Sequence, residues 1–376
     1  MRIRRVVVRT FAVLLALALL ISAYVVVQVS REVTELLRVP SALWPSQVRV
    51  VEATGRQVTI EQVDGGPTWL TVGTVYGLAW ETGSGQVGQV VVNDGERVQR
   101  RFRLLEGTLP APGTLARYSR EAYPRDATRA FPGLEVQELT IPGGAGDLPA
   151  WFVPGDRDTW AILVHGRGSA RSEMFRLMHS AVAAGLPSLA MTYRNAPETG
   201  GGLTELGLSE WRDVEAAVRV ARDRGARDVV LMGASMGGTL IASFLERSEL
   251  ARHVRAIVLD SPLFDLRATV HDAVGGAGVP KLLSSAGLRL AQWRSGVDLA
   301  AVAHLDDTSW LTAPALVWHG TSDDSVPVET SRRLAEAAPD LVTLHLVEGA
   351  GHVEAWNFAP KRYDRQVRKF LRAHAR

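Results

Sequence analysis

The chain has no cysteine among its 376 residues, which excludes thiol nucleophiles, disulfides and cysteine-based metal sites and leaves any nucleophile to an oxygen or a nitrogen. Excess charge of one sign is also scarce. The formal balance is +2, and the basic residues, almost all arginine, are dispersed instead of gathered into a patch interleaved with aromatics, so no nucleic-acid partner is expected. There is no internal repeat, no low-complexity tract, no His-Glu-x-x-His spacing and no nucleotide-binding glycine loop, and the expectation is accordingly for no metal and no cofactor. Apolar material is plentiful, at 46% hydrophobic against 22% charged residues, enough for one large α/β core and a smaller unit.

The first thirty residues differ from the rest. Arg2, Arg4, Arg5 and Arg9 precede an uncharged run from Phe11 to Val29, close to the ~20 residues that cross a bilayer as a helix and longer than the roughly 7–15 of a signal-peptide core. The N-terminal arginines outweigh the mixed flank of Arg31, Glu32, Glu35 and Arg38, so the positive-inside rule puts residues 1–10 in the cytoplasm. The expectation is a single-pass cell-membrane anchor over 11–29, with the remainder extracytoplasmic. A cleaved signal peptide is the alternative; the length of the run and the lack of a small-x-small cleavage site count against it.

Residues 30–133 read as a small β-rich subdomain with a connector. Short β-type runs such as VRVVEA, QVTIEQV, TWLTVGTVYGLAW and RVQRRFRLL are separated by Gly-Gly-Pro, Gly-Ser-Gly and Asn-Asp-Gly, which are turn formers, and a Pro- and Gly-rich stretch follows. From Leu134 the rhythm changes to short, almost wholly apolar strands (TWAILVHG, RDVVLMGAS, RAIVLDSP, APALVWHG) alternating with amphipathic helices. That alternation predicts an α/β domain over 134–376, with a mostly parallel twisted sheet covered by helices on both faces and its ligand site beyond the carboxyl ends of the strands.

The polar residues of interest fall at those strand ends. In VVLMGASMGGTL, Ser235 follows a strand and precedes a helix in a Gly-x-Ser-x-Gly setting, where Gly233 and Gly237 let strand and helix approach and hold the serine on a strained turn. A serine hydroxyl needs a base, and His352, on the Gly-flanked loop EGAGH past the last strand, is the candidate. The imidazole in turn needs an acid. Asp323 in WHGTSDDSVP is preferred, with Asp324 read as solvated or a cap and Asp260 in VLDSP as a second candidate. The loop LVHGRGSARSE, with Gly166 and Gly168 permitting close backbone approach, offers the backbone amide of Arg167, together with that of Met236, as an oxyanion hole. Of the other histidines, His165 is read as shaping its loop and His345 as structural, while His253 and His304 have no expected partners.

Taken together, His165-Gly166-Arg167-Gly168, Gly233-Ala234-Ser235-Met236-Gly237-Gly238, His319-Gly320 with Asp323 and Val326-Pro327, and Gly351-His352 resemble the α/β-hydrolase fold superfamily over about two-thirds of the chain. YRN, EWRDVEAAV, DSPLFDLRATV and HVEAWN are similar to bacterial membrane-anchored or exported hydrolases of the lysophospholipase-like and prolyl-oligopeptidase-like groups. The resemblance implies hydrolysis of an acyl ester or lipid-like small molecule by a Ser-His-Asp triad through an acyl-enzyme. An exopeptidase or amidase of the prolyl-oligopeptidase type and a non-catalytic binding protein of the same fold are the alternatives. Residues 263–312, an excursion after the VLDSP strand, are a candidate cap whose apolar residues suit an acyl chain.

Overall fold

The computed structural model describes residues 2–39, 47–63 and 70–375. The predicted Gly-Gly-Pro turn and the first two residues of the TWLTVGTVYGLAW run lie outside the described residues.

Six antiparallel strands follow the N-terminal helix: β1 (Val48–Ala53), β2 (Gln57–Gln62), β3 (Tyr76–Trp80), β4 (Gly83–Asn93), β5 (Arg97–Gly107) and β6 (Leu115–Ser119). They close into a barrel in the order β1-β2-β5-β4-β3-β6, which leaves no free sheet edge. Two expectations change here. The Gly-Ser-Gly stretch opens β4 instead of forming a turn, because a Cβ on Gly85 would lie 2.2 Å from the Phe102 ring, so glycine serves close packing inside the barrel. The Pro- and Gly-rich connector supplies β6, the strand that closes the barrel against β1 and β3. The fully buried Arg100 is accommodated in this unit by bonds to the carbonyls of Gly88 and Leu70 and to the Tyr118 hydroxyl.

The second sheet has eight strands: β7 (Gln137–Gly143), β8 (Gly146–Val153), β9 (Thr159–Val164), β10 (Ser188–Met191), β11 (Asp228–Ala234), β12 (Val254–Asp260), β13 (Ala315–Gly320) and β14 (Val342–Val347). Their order is β14-β13-β12-β11-β9-β10-β8-β7, with β9 to β14 parallel and the β7–β8 hairpin antiparallel at one edge. Every residue of β9, β11 and β13 is buried, as expected of strands covered on both faces. Two apolar clusters flank the sheet, one including Ile162, Leu231 and Val317, the other Leu163, Met232 and Trp318. Successive residues of one strand point to opposite faces, which divides them between the clusters.

The N-terminal helix α1 spans Arg2–Leu37, running past Val29. Its apolar side chains from Val7 to Tyr24 are exposed, and the helix from Val7 to Leu37 is long and apolar enough to cross a membrane, so it is a candidate span. Beyond that stretch Val29, Ser30, Val33 and Leu37 are buried, a stripe at helical spacing that docks onto the second sheet's unit. Helices α2 (Phe175–Val182) and α3 (Trp211–Asp223) pack on opposite faces of the sheet; residues 263–312 carry two more, α5 (Leu266–Gly275) and α6 (Lys281–Ser295), and α6 packs along α1.

Candidate active site

Strand β11 ends at Ala234 and helix α4 (Met236–Arg247) begins at Met236, leaving Ser235 alone on the turn with φ 51° and ψ −119°. Positive φ in a non-glycine residue is strained, and the surroundings enforce it. A Cβ on Gly237 would come within 2.2 Å of the Val164 carbonyl oxygen, and one on Gly233 within 2.7 Å of Ile241 Cδ1. Only glycines let the strand and helix meet so closely that the serine is lifted above the sheet.

The Oγ of Ser235 lies 2.8 Å from His352 Nε2, and His352 Nδ1 lies 2.8 Å from Asp323 Oδ2. The three residues come from the loops after β11, β14 and β13, all at the carboxyl edge of the sheet. Asp323 is itself supported: Oδ1 accepts the Val326 amide at 2.8 Å, and His319 Nε2 lies 3.1 Å from Oδ2. Burial opposes ionisation of this carboxyl, but hydrogen bonds from His319, His352 and the Val326 amide outweigh it and hold the group well below the usual carboxylate range. It is therefore an anion at neutral pH, suited to orienting a histidine. Asp260, the other candidate acid, is buried and accepts the Tyr363 hydroxyl at 3.0 Å; burial raises its pKa against the opposing influence of Arg176.

The histidine loop is held from both sides. Arg176 Nη1 donates to the Val353 carbonyl at 2.6 Å, and Arg120, in the segment after β6, donates to that of His352 at 3.2 Å. The barrel side is tied to the same region through Asn357, whose carbonyl accepts the Thr74 amide at 2.9 Å and whose Nδ2 donates to the Arg120 carbonyl at 2.9 Å. His319, Arg120 and Arg176 received no role in the sequence reading. His319-Gly320 was visible as a motif, but neither arginine carried a local signal.

The loop after β9 is pinned as well. The Gly166 amide donates to Glu173 Oε2 at 2.7 Å, its carbonyl accepts the Tyr193 hydroxyl at 2.9 Å and contacts His165 Nδ1 at 2.8 Å, and Gly168 takes a left-handed φ of 68°. Burial of Glu173 disfavours its charge, yet Arg120 and Arg176 outweigh that and lower its pKa. Arg167 and Met236 line the same cleft as Ser235 and His352, with a volume of about 480 Å³. Met236 is the first residue of α4, where amides have no partner within the helix and point outward. His345 packs on Trp318, in keeping with a structural role. The expectation for His304 is overturned: its Nδ1 lies 2.6 Å from Glu246 Oε1 and its Nε2 3.3 Å from Ser243 Oγ, because the excursion after β12 folds back onto α4.

A twisted parallel sheet with a strained serine between strand and helix, and a histidine and a carboxylate on later loops, defines a protein of the α/β-hydrolase type. A sequence profile of the alpha/beta hydrolase family matches residues 161–366, more than half of the chain, and the chain belongs to that family of hydrolases. It is 25% identical over 236 residues to YfhR of Escherichia coli strain K12, described as uncharacterized, covering 59% of this chain and 75% of that one. To the mouse alpha/beta hydrolase domain-containing protein 17C it is 27% identical over 166 residues, 43% of each chain. Among solved structures it is similar to the Pyrococcus furiosus esterase Pf2001 (TM-score 0.52, 22% identity, 64% of this chain and 93% of that one). It is also similar to an esterase of the bacterial hormone-sensitive lipase family (TM-score 0.50, 25% identity, 65% and 85%).

Proposed function

We propose that the protein is a membrane-anchored serine hydrolase that cleaves carboxylic esters through an acyl-enzyme. The observation that carries this reading is that Ser235, on a strained turn and lining the cleft, is joined to His352 and Asp323 with 2.8 Å at each link. Ser235 attacks the acyl carbonyl as His352 Nε2 takes its proton, and Asp323 holds the imidazole by Nδ1 and stabilises the imidazolium. The Arg167 and Met236 amides receive the oxyanion. The proton passes from His352 to the departing alcohol; His352 then removes one from water as it attacks the acyl-enzyme and returns it to Ser235 Oγ as the acyl–Oγ bond breaks and the acid is freed.

Ester over amide is supported by the likeness to the esterase of the bacterial hormone-sensitive lipase family, and by a cleft whose lining is mostly apolar. For the chain's placement, the reading is an anchor at α1 that is retained, with residues 1–10 cytoplasmic and the catalytic unit, residues 134–376, outside. The continuity of α1 from the exposed apolar stretch into the docked one supports retention. The test is labelling of the purified full chain with a fluorophosphonate, followed by a panel of esters, thioesters and aminoacyl amides. Covalent modification of Ser235 and a preference for esters are expected. A preference for amides would overturn the ester assignment, and no labelling together with no turnover would return the protein to a binding role.

A further inference from the structure

The cleft above Ser235 is not enclosed by the catalytic unit alone. Val29, Val33 and Leu36 of α1, with Glu32 between them, form part of its wall together with Val270 and Val274 of α5. The same helix carries the exposed apolar stretch that ends near Tyr24. At 1.5 Å per residue, that end is only about 8 Å along the helix from Val29 and about 18 Å from Leu36. The wall of the cleft and the candidate membrane span are thus one continuous rod, with the cleft within a few turns of the bilayer surface.

Two further features fasten this part of α1 to the catalytic unit, and a third points to the membrane. Helix α6 offers it a small-residue stripe, Ser284, Gly287 and Ala291, in which a Cβ on Gly287 would sit 2.6 Å from Val29 Cβ. That is the close approach small residues permit between helices. The C-terminal end of α1 is bonded into the oxyanion side of the cleft: the Leu37 carbonyl accepts the Thr204 amide at 2.8 Å, and Arg167 Nη1 donates to the Arg38 carbonyl at 3.3 Å. Finally, α6 exposes Leu282 and Trp293, at 79% and 80%, about three turns apart on one face of the helix. An exposed tryptophan beside a membrane helix is a typical interfacial residue.

We infer that the docked half of α1 is a wall of the acyl pocket, and that the substrate is a membrane-borne ester whose long acyl chain passes from the bilayer along α1 to Ser235. The cleft volume of about 480 Å³ suits one such chain and lies within the roughly 300–1,000 Å³ of small-molecule sites. This inference rests on the serine-hydrolase reading above. It assigns α1 a part in substrate selection as well as in anchoring.

Two measurements on the full chain in lipid vesicles test it. The first is the ratio of Ser235 labelling rates for a long-alkyl and an ethyl fluorophosphonate, in the wild type and in Leu36→Trp, with Leu36→Met as the conservative control. The wild type favours the long probe, Leu36→Trp lowers the ratio by about tenfold, the effect of filling an apolar subsite, and Leu36→Met restores it. If Leu36→Trp is too unstable to purify, Val274→Trp narrows the cleft from α5 and is read in the same way. A ratio unchanged by narrowing overturns the pocket assignment while leaving the hydrolase reading intact; absence of labelling by both probes in the wild type overturns the hydrolase reading itself. The second measurement is hydrolysis of a long-chain ester held in the enzyme's own vesicles or in separate ones. A rate at least about tenfold higher in the shared bilayer is expected from the local concentration, and equal rates overturn the membrane route.

Discussion

Two serine–histidine–carboxylate chains meet helix α4, one at its N-terminal boundary and one within it. At its start Ser235 meets His352 and Asp323; two turns on, Ser243 meets His304 at 3.3 Å, and His304 meets Glu246 at 2.6 Å. On residue types and contacts alone the two look alike. They differ in everything else a nucleophile needs. Ser235 has a strained φ of 51° and lines a cleft, with the free first-turn amide of Met236 beside it. Ser243 lies inside the helix, fully buried, where neighbouring amides are spent on helical hydrogen bonds. The comparison teaches that the hydrogen-bonded relay is not diagnostic: access for a carbonyl carbon and unpaired donors for its oxygen separate a candidate active site from a structural network.

The sharpest way to break the comparison is to remove each serine and histidine in turn. On the proposed mechanism, Ser235→Ala or His352→Ala lowers kcat for ester hydrolysis by at least about 10⁴-fold, whereas Ser243→Ala leaves it unchanged. Steady-state kinetics on the purified chain check this, and comparable losses at the two sites would erase the distinction. The next effect separates the acids. Asp323→Asn costs up to about 10⁴-fold in kcat by disturbing the histidine tautomer, with little change in KM, while Glu246→Gln leaves kcat as it was. The smallest effect falls on stability. His304→Ala strands the buried Ser243 hydroxyl and lowers unfolding stability by about 2–4 kcal/mol, seen as a reduced thermal midpoint, while leaving kcat unchanged.

Much of the candidate site was legible because its signals are local. Ser235 stands between an apolar strand and a helix, Asp323 and His352 each follow an apolar strand, and the glycines at 233 and 237 sit where steric closeness demands them. Asp323 lies beside His352 Nδ1, while Asp260, at an equally good strand-end position, bonds Tyr363 of the C-terminal helix, over a hundred residues away. What escaped the reading is non-local. His304 gains its partners only when the excursion after β12 folds back onto α4, and Arg120 reaches the His352 carbonyl from the segment after β6, more than two hundred residues away in the chain. Leu115–Ser119 looked like connector because a five-residue strand among prolines and glycines has weak propensity, and its strand character comes from pairing with Arg49 and Leu78.

By itself the amino-acid sequence determined the parallel sheet, the turn at Ser235, and the apolar run of α1, since hydrophobic period, glycine sterics and run length act over a few residues at a time. Only the tertiary structure decided that the barrel closes, that two serine networks share one helix, and that α1 continues beyond its apolar run into the wall of the cleft. Each of these depends on side chains brought together from distant parts of the chain, as when Gly287 admits Val29, and no local pattern encodes that meeting.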